Sequence, residues 1–282
     1  MMPLDLGAKG SCQLGGCIAA GAGGIRLIRY GSLHAHLLGA TLVDGTGRVL
    51  EFLSSLRKDN TALHAAHLLI GSEGQLGVVT RANLTLVPRP ASQLTAMLGL
   101  RSFSECRRLL QLARRRLSEI LSSFELMDAE TLRAVKENLG LSPLLSSRPP
   151  FTILVETHGS VEEHDMQKLE AFLEEAICTG IADDGVLAKT GQERAQMWRL
   201  REESPIAVMK DGFIYKFDIS LPLAHFYELT ETAREKLAGL AKVYCYGHVG
   251  DGNAHLNITT TTEDRELSQS LPTWVLEWVV AH

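Results

Sequence analysis

Two textures of apolar and polar positions divide the chain. Up to about residue 90, short apolar runs at 40–43 and 49–53 are cut by glycines at positions 15, 16, 21, 23, 24, 31, 39, 45 and 47. Runs this short between so many breakers predict strands and tight loops rather than helices. A second glycine cluster at 71–77 predicts a tight turn feeding a strand through 82–87, and Pro88-Arg89-Pro90 predicts a linker.

From about residue 92 the periodicity lengthens. A strand at 95–100 leads into a helix over 102–119, with Ser102 as its cap and an apolar face of Cys106, Leu109, Leu110, Leu112 and Leu117. Strands at 124–127 and 151–156 are each followed by helical patterns, at 129–138 and 161–179, and the Ser- and Pro-rich stretch 141–150 reads as a loop. A short strand at 186–189, a helix over 191–208, a strand at 213–219 and a helix after Pro222 follow, then a final strand pair and a helix starting at Pro272. Strands alternating with helices in this way predict an α+β sandwich, a sheet with helices packed on one face.

Composition narrows the picture. At 282 residues, 45% hydrophobic and 22% charged, the chain has room for two domains with ordinary cores. A net charge of -5 provides no basic field for a phosphate backbone, so no nucleic-acid partner is expected. Cys12, Cys17, Cys106, Cys178 and Cys245 are scattered, without a CxxC pair, which predicts unpaired thiols. No apolar run approaches the ~20 residues of a bilayer span, and the first residues match neither a signal nor a transit peptide.

Candidate chemistry concentrates late in the chain, in Tyr246-Gly247-His248-Val249-Gly250-Asp251-Gly252-Asn253-Ala254-His255-Leu256-Asn257. On one strand His255 and Asn257 point the same way, and a glycine-rich turn could fold His248 back towards them. Two imidazoles beside an amide suit a metal or a polar small molecule, although a spaced histidine pair also arises by chance. Lys216, in Phe213-Ile214-Tyr215-Lys216-Phe217, reads as a buried cation that needs a carboxylate. Arg201, among acidic neighbours on a helix, reads as a surface ion pair ahead of a carboxylate-binding group. Arg114-Arg115-Arg116 reads as a solvated helix end complementing the dipole.

Taken in order, Ala22-Gly23-Gly24, 27–32, 56–61, the 71–80 turn, Tyr215-Lys216-Phe217-Asp218 and 247–257 closely resemble FAD-linked oxidoreductases with the vanillyl-alcohol-oxidase type of FAD fold, over essentially the whole chain. Within that type 4 family of FAD-binding oxidoreductases, the resemblance is to the mitochondrial members that oxidise D-2-hydroxyglutarate. D-lactate and glycolate dehydrogenases are the nearest competitors.

The resemblance implies an α+β fold: the C-terminal part of a PCMH-type FAD-binding domain over 1–90, then a ferredoxin-like substrate or cap domain over 91–282. It implies FAD against Gly15, Gly16, Gly21, Gly23, Gly24, Glu73, Gly74, Val79 and Asn253, and a divalent metal, zinc in most members, on His248 and His255. Arg201, Lys216 and Asn257 would bind the D-2-hydroxy dicarboxylate, with His255 and Lys216 as catalytic groups. Electrons would leave to a flavoprotein such as electron transfer flavoprotein.

The match departs from the family at Ala20-Gly21, where relatives carry Thr-Asn, and at Pro205, where relatives can offer a hydroxyl. It also predicts an upstream pyrophosphate loop and a downstream Glu-His-Gly segment, with the third metal ligand and the base, outside the 282 residues. A chain without them is expected to hold FAD and metal poorly, or to be a non-catalytic truncated product.

Overall fold

The computed structural model describes residues 1–8 and 10–282, which form two units, Met1–Arg89 and Pro90–His282.

In the first unit, helices α1 (Leu14–Ala19) and α2 (Leu27–Tyr30) precede three antiparallel strands, β1 (Leu37–Val43), β2 (Val49–Phe52) and β3 (Val78–Leu84), in the order β2-β1-β3. Ile18, Leu33, Leu37, Ala40, Leu42, Ala66 and Leu69 make its small core. The expectation of a glycine loop over 15–24 needs correcting. Gly15 and Gly16 lie inside α1, because Cys17 and Ile18 form a buried helical step that overrides the helix penalty of glycine. The strand expected at 82–87 runs instead from Val78 to Leu84, since Val78 and Val79 pair with Val43 and Leu42 of β1. Gly39 is required where the chain crosses itself: a Cβ there would lie 2.3 Å from the Ser54 amide nitrogen.

The second unit is a seven-stranded antiparallel sheet. Its first half comprises β4 (Ser92–Leu100), α3 (Phe103–Arg116), β5 (Leu121–Asp128), α4 (Ala129–Leu139), β6 (Phe151–Gly159), α5 (Glu162–Cys178) and β7 (Asp184–Leu187). The strand order β7-β4-β6-β5 interleaves two split βαβ units, which is the ferredoxin-like arrangement. Helix α3 starts where the Ser102 hydroxyl accepts from the Glu105 amide and the Glu105 carboxylate accepts from the Ser102 amide, a capping box worth about 1 kcal/mol. It buries Leu109 and Leu110, each contributing roughly 1.5–3 kcal/mol.

The second half comprises α6 (Gly191–Glu202), α7 (Ser204–Met209), β8 (Phe213–Ser220), α8 (Glu228–Lys236), β9 (Lys242–His248), β10 (Asn253–Thr260) and α9 (Arg265–Ala281). Strands β9, β10 and β8 extend the sheet beyond β5. One face of this extension is apolar: Val243, Leu256 and Ile258 pack with Leu229 and Ala233 of α8 and Leu271 and Val275 of α9. The other face carries the histidines.

Two helix expectations change. The helix expected over 191–208 breaks at Glu203, ahead of Pro205. Proline is tolerated there because it falls in the first turn of α7, where its missing N–H costs nothing. The final helix starts at Arg265, not Pro272. Asp264 caps it by accepting from the Leu267 amide, and burial of Leu271 and Val275 carries the helix past the proline. Among the described residues no helix is long and apolar enough to cross a membrane.

Candidate active site

The register of β5, β9, β10 and β8 writes the site. Residues directly opposite each other on antiparallel strands share a face. Glu125 pairs with His248, which pairs with Asn253. Tyr246 pairs with His255, which pairs with Asp218, and Tyr244 pairs with Asn257, which pairs with Lys216. Three parallel polar rows therefore stand on one surface. The glycine turn makes the geometry possible: the amides of Asp251 and Gly252 donate to the His248 carbonyl, and Gly252 takes φ 83° against the Leu221 carbonyl. Arg114, expected as solvated, donates to the Gly250 carbonyl and holds this turn, while Arg115 and Arg116 pair with Glu175.

His248 and His255 meet with their Nε2 atoms 3.3 Å apart. Each ring has a carboxylate on its other nitrogen. Glu125 lies 2.8 Å from Nδ1 of His248, and Asp218 lies 3.5 Å from Nδ1 of His255. Burial, the Arg201 charge and His248 push His255 down to about 4, so it is neutral at physiological pH. Burial works against a charged His248 as well, but the Glu125 carboxylate outweighs it and raises His248. Glu125 is itself buried, yet His248 and Arg201 together hold it below its ordinary value.

The two candidate cations exchange environments relative to expectation. Lys216 is not buried: β8 is the edge strand, only Tyr215 of its eight residues is buried, and Lys216 is exposed with Nζ 3.2 Å from the Met209 sulfur. Aromatic neighbours suggested a central strand, but on an edge strand they cover one face only. Arg201 is the buried one. Its side chain is 7% exposed, lies 3.0 Å from the Glu125 carboxylate and stacks over Tyr246 with its guanidinium carbon 5.1 Å from the ring centre.

Asn257 is buried and donates to the His255 carbonyl at 3.2 Å. Asn253 donates to Asp218 at 2.6 Å and to the Ile219 carbonyl at 3.2 Å, so its amide protons are engaged within its own sheet.

Glu125 escaped the sequence reading, although a lone acid in the apolar run Phe124-Glu125-Leu126-Met127 was the available signal. Glu156 was missed in the same way. It is 2% exposed and accepts from Trp198 and, at 3.3 Å, from Thr95, with His158 Nε2 at 2.8 Å. Helix α6 is thus pinned to the sheet by two buried carboxylates, Glu156 through Trp198 and Glu125 through Arg201.

In the first unit the two glycine clusters meet. The Gly71 amide donates to the Ile18 carbonyl and the Glu73 amide, from a left-handed residue, donates to the Ala19 carbonyl.

The profile of the C-terminal domain of FAD linked oxidases matches residues 89–282, and that of an FAD binding domain matches residues 1–53. The chain belongs to the FAD-linked oxidases. A mitochondrial D-2-hydroxyglutarate dehydrogenase of Bos taurus is 46% identical over 99% of this chain and 51% of its own length. One of Arabidopsis thaliana is 44% identical over 100% of the chain and 51% of its own length. The chain spans about half the length of the curated relatives it matches. Among solved structures, an alkyldihydroxyacetonephosphate synthase superposes with TM-score 0.73 at 14% identity, covering 98% of this chain and 55% of its own.

The residues present bear on both groups that the family implies. For FAD, Gly16, Gly71 and Gly74 leave open space where a Cβ would project, so a ligand can approach the backbone there. Gly15, Gly21 and Gly24 instead face the chain's own backbone, at Val79, Gly71 and Asp5, and Gly23 faces the Leu27 side chain.

For a metal the fit is closer. Two nitrogens on one tetrahedral zinc stand ~3.3–3.4 Å apart for Zn–N distances of ~2.0–2.1 Å, the separation that His248 and His255 hold. A carboxylate on the far nitrogen of each ring is the second layer such ligands require.

Proposed function

We propose that this FAD-linked oxidase acts on D-2-hydroxyglutarate, oxidising it to 2-oxoglutarate in mitochondria. The observation that carries the reading is the His248–His255 pair with its two flanking carboxylates, in a chain 44–46% identical to D-2-hydroxyglutarate dehydrogenases. FAD bound beside Gly16, Gly71 and Gly74 would supply the two-electron acceptor, and a divalent cation on His248 and His255 would supply Lewis acidity at the substrate hydroxyl.

The chain's own residues would do the rest. Lys216, exposed and with no acid partner among the described residues, attracts one carboxylate of the substrate. Arg201 presents a charge that Glu125 already shares, so it suits short-range orientation of the other carboxylate more than long-range attraction. Asn257 fixes the hydrogen-bonding edge between them. Two cations favour a dicarboxylate over lactate or glycolate, because the second carboxylate would otherwise lie unpaired. His255, neutral at physiological pH, has its lone pair available to the cation, so the proton leaving the substrate hydroxyl would need an acceptor other than this ring. Electrons would then pass to an electron-transfer flavoprotein.

The full gene product loaded with FAD and zinc should reduce a dye in the presence of D-2-hydroxyglutarate, less well with D-malate, and least with D-lactate or glycolate. Equal rates on all four acids would overturn the substrate assignment. A fluorescent fusion of the full gene product should colocalise with a mitochondrial stain.

A further inference from the structure

Tyr246 stands between the histidine pair and Arg201. It lies in the middle polar row of the sheet, opposite Met127 of β5 on one side and His255 of β10 on the other, and is 4% exposed. Three of the groups assigned to substrate and cation meet it. The Arg201 guanidinium carbon is 5.1 Å from the centre of its ring. The His255 ring stands 5.3 Å away, tilted by 42°. Its hydroxyl is hydrogen-bonded to the Asn257 side chain.

Each contact uses a different part of the side chain. The ring face attracts the guanidinium, an attraction that strengthens out of water, and the Arg201 side chain is only 7% exposed. The Glu125 carboxylate, 3.0 Å from Arg201, fixes where the charge sits, and the Tyr246 face adds a plane for the guanidinium to lie on. The tilted contact with His255 restricts rotation of that imidazole. The phenol oxygen steadies an amide that also donates to the His255 carbonyl. Tyr246 is clamped by pairing on both sides, so it is a fixed reference, whereas Arg201 arrives on a long side chain from α6.

We propose that Tyr246 is the positioning residue of this site. Buried as it is, it does not itself meet the substrate; it sets where the carboxylate-orienting cation, the second histidine and the amide stand relative to one another. This role rests on the reading that Arg201, His255 and Asn257 serve one 2-hydroxy acid. A carboxylate on Arg201 and a hydroxyl beside the histidines belong to the same small molecule, and a misplacement of about 1 Å between such groups can cost on the order of 100-fold in rate. One rigid ring in contact with both removes that freedom.

Two substitutions divide the ring from the hydroxyl: Tyr246→Phe removes only the hydroxyl, and Tyr246→Leu removes the ring while keeping an apolar side chain. In zinc competition on the full chain, Tyr246→Phe should match the parent protein and Tyr246→Leu should bind about 2- to 10-fold more weakly, the worth of one aromatic contact. In the full gene product loaded with FAD and zinc, KM for D-2-hydroxyglutarate should rise about fivefold in Tyr246→Phe, as one hydrogen bond implies. It should rise about 5- to 30-fold in Tyr246→Leu, as a desolvated cation–π contact implies, with a smaller change in kcat in both variants. If the ring acts through Arg201, adding Tyr246→Leu to Arg201→Gln should raise KM by no more than about twofold further, whereas a packing role would add in full. Should the leucine variant fail to fold, Tyr246→Phe, which keeps the ring, carries the KM test. Zinc competition requires no turnover, so an inert enzyme would count against the substrate reading while the zinc result still decides for or against Tyr246. An unchanged KM in Tyr246→Phe, unchanged zinc affinity in Tyr246→Leu, or a full Tyr246→Leu effect beside Arg201→Gln would overturn the proposal.

Discussion

The Nε2 atoms of His248 and His255 stand 3.3 Å apart across the β9–β10 turn, each ring backed by an acid on its other nitrogen. With His255 neutral and His248 raised by Glu125, the two imidazoles can share one proton or one cation. Loss of either ring should lower zinc affinity by more than a hundredfold, since one remaining imidazole is no chelate. Competition against a chromogenic chelator with His248→Ala and His255→Ala checks this, and unchanged affinity in either variant would refute it.

Glu125 should matter twice. As the carboxylate behind His248 its loss in Glu125→Gln should cost 10–100-fold in metal affinity. As the counter-charge of buried Arg201 its loss should also cost about 3–5 kcal/mol of stability. The double variant Glu125→Gln/Arg201→Met should recover much of the second loss and none of the first. Denaturant melts of the four proteins in the cycle separate the two effects.

Lys216 is exposed, and among the described residues its ammonium meets only the Met209 sulfur. Lys216→Met should leave stability within about 0.5 kcal/mol and raise KM for a dicarboxylate substrate with a smaller change in kcat. A matched loss of stability would show that the lysine is structural.

Asp211 links three elements. It accepts from Tyr244, from Asn138 at 2.8 Å and from Lys242 at 3.2 Å. Burial opposes its charge, but these donors outweigh burial and hold it below the ordinary 3.8. A group with a depressed folded value stabilises the fold fully above about pH 4 and loses that contribution as pH falls through the folded value. Asp211→Asn should therefore lower stability at pH 7 by about 1.5–3 kcal/mol, the worth of charge-assisted bonds, and flatten the decline below pH 4. A parallel offset at all pH values would contradict this.

Gly77 takes φ 137°, and a Cβ there would fall 2.2 Å from the Val43 carbonyl. Gly77→Ala should destabilise the first unit by about 1–3 kcal/mol and weaken FAD retention in step. Limited proteolysis of the 1–89 segment, read beside flavin fluorescence, reports both.

Much of the second unit was legible because its elements carry their own signals. Ser102 with Glu105, Asp128 and Thr190 mark helix starts by local hydrogen bonds that involve no distant residue. The strand expected at 124–127 from its apolar and aromatic residues lies inside β5, which begins three residues earlier. The first unit was less legible: α1 buries only Cys17 and Ile18 through contacts far along the chain, so nothing local distinguishes Gly15 and Gly16 from a loop.

The sequence by itself determined that His248 and His255 flank a glycine turn and that His255 and Asn257 share a strand face, since side-chain period and turn chemistry are local properties. Only the tertiary structure decided which acids stand behind them and which cation is buried. Glu125 and Asp218 reach the histidines through pairing across four strands, and Arg201 reaches Glu125 from a helix 76 residues away. Lys216 and Arg201 exchanged places for the same reason: burial depends on which strand lies at the edge and which helix face meets the sheet, and neither is written in a residue's immediate neighbours.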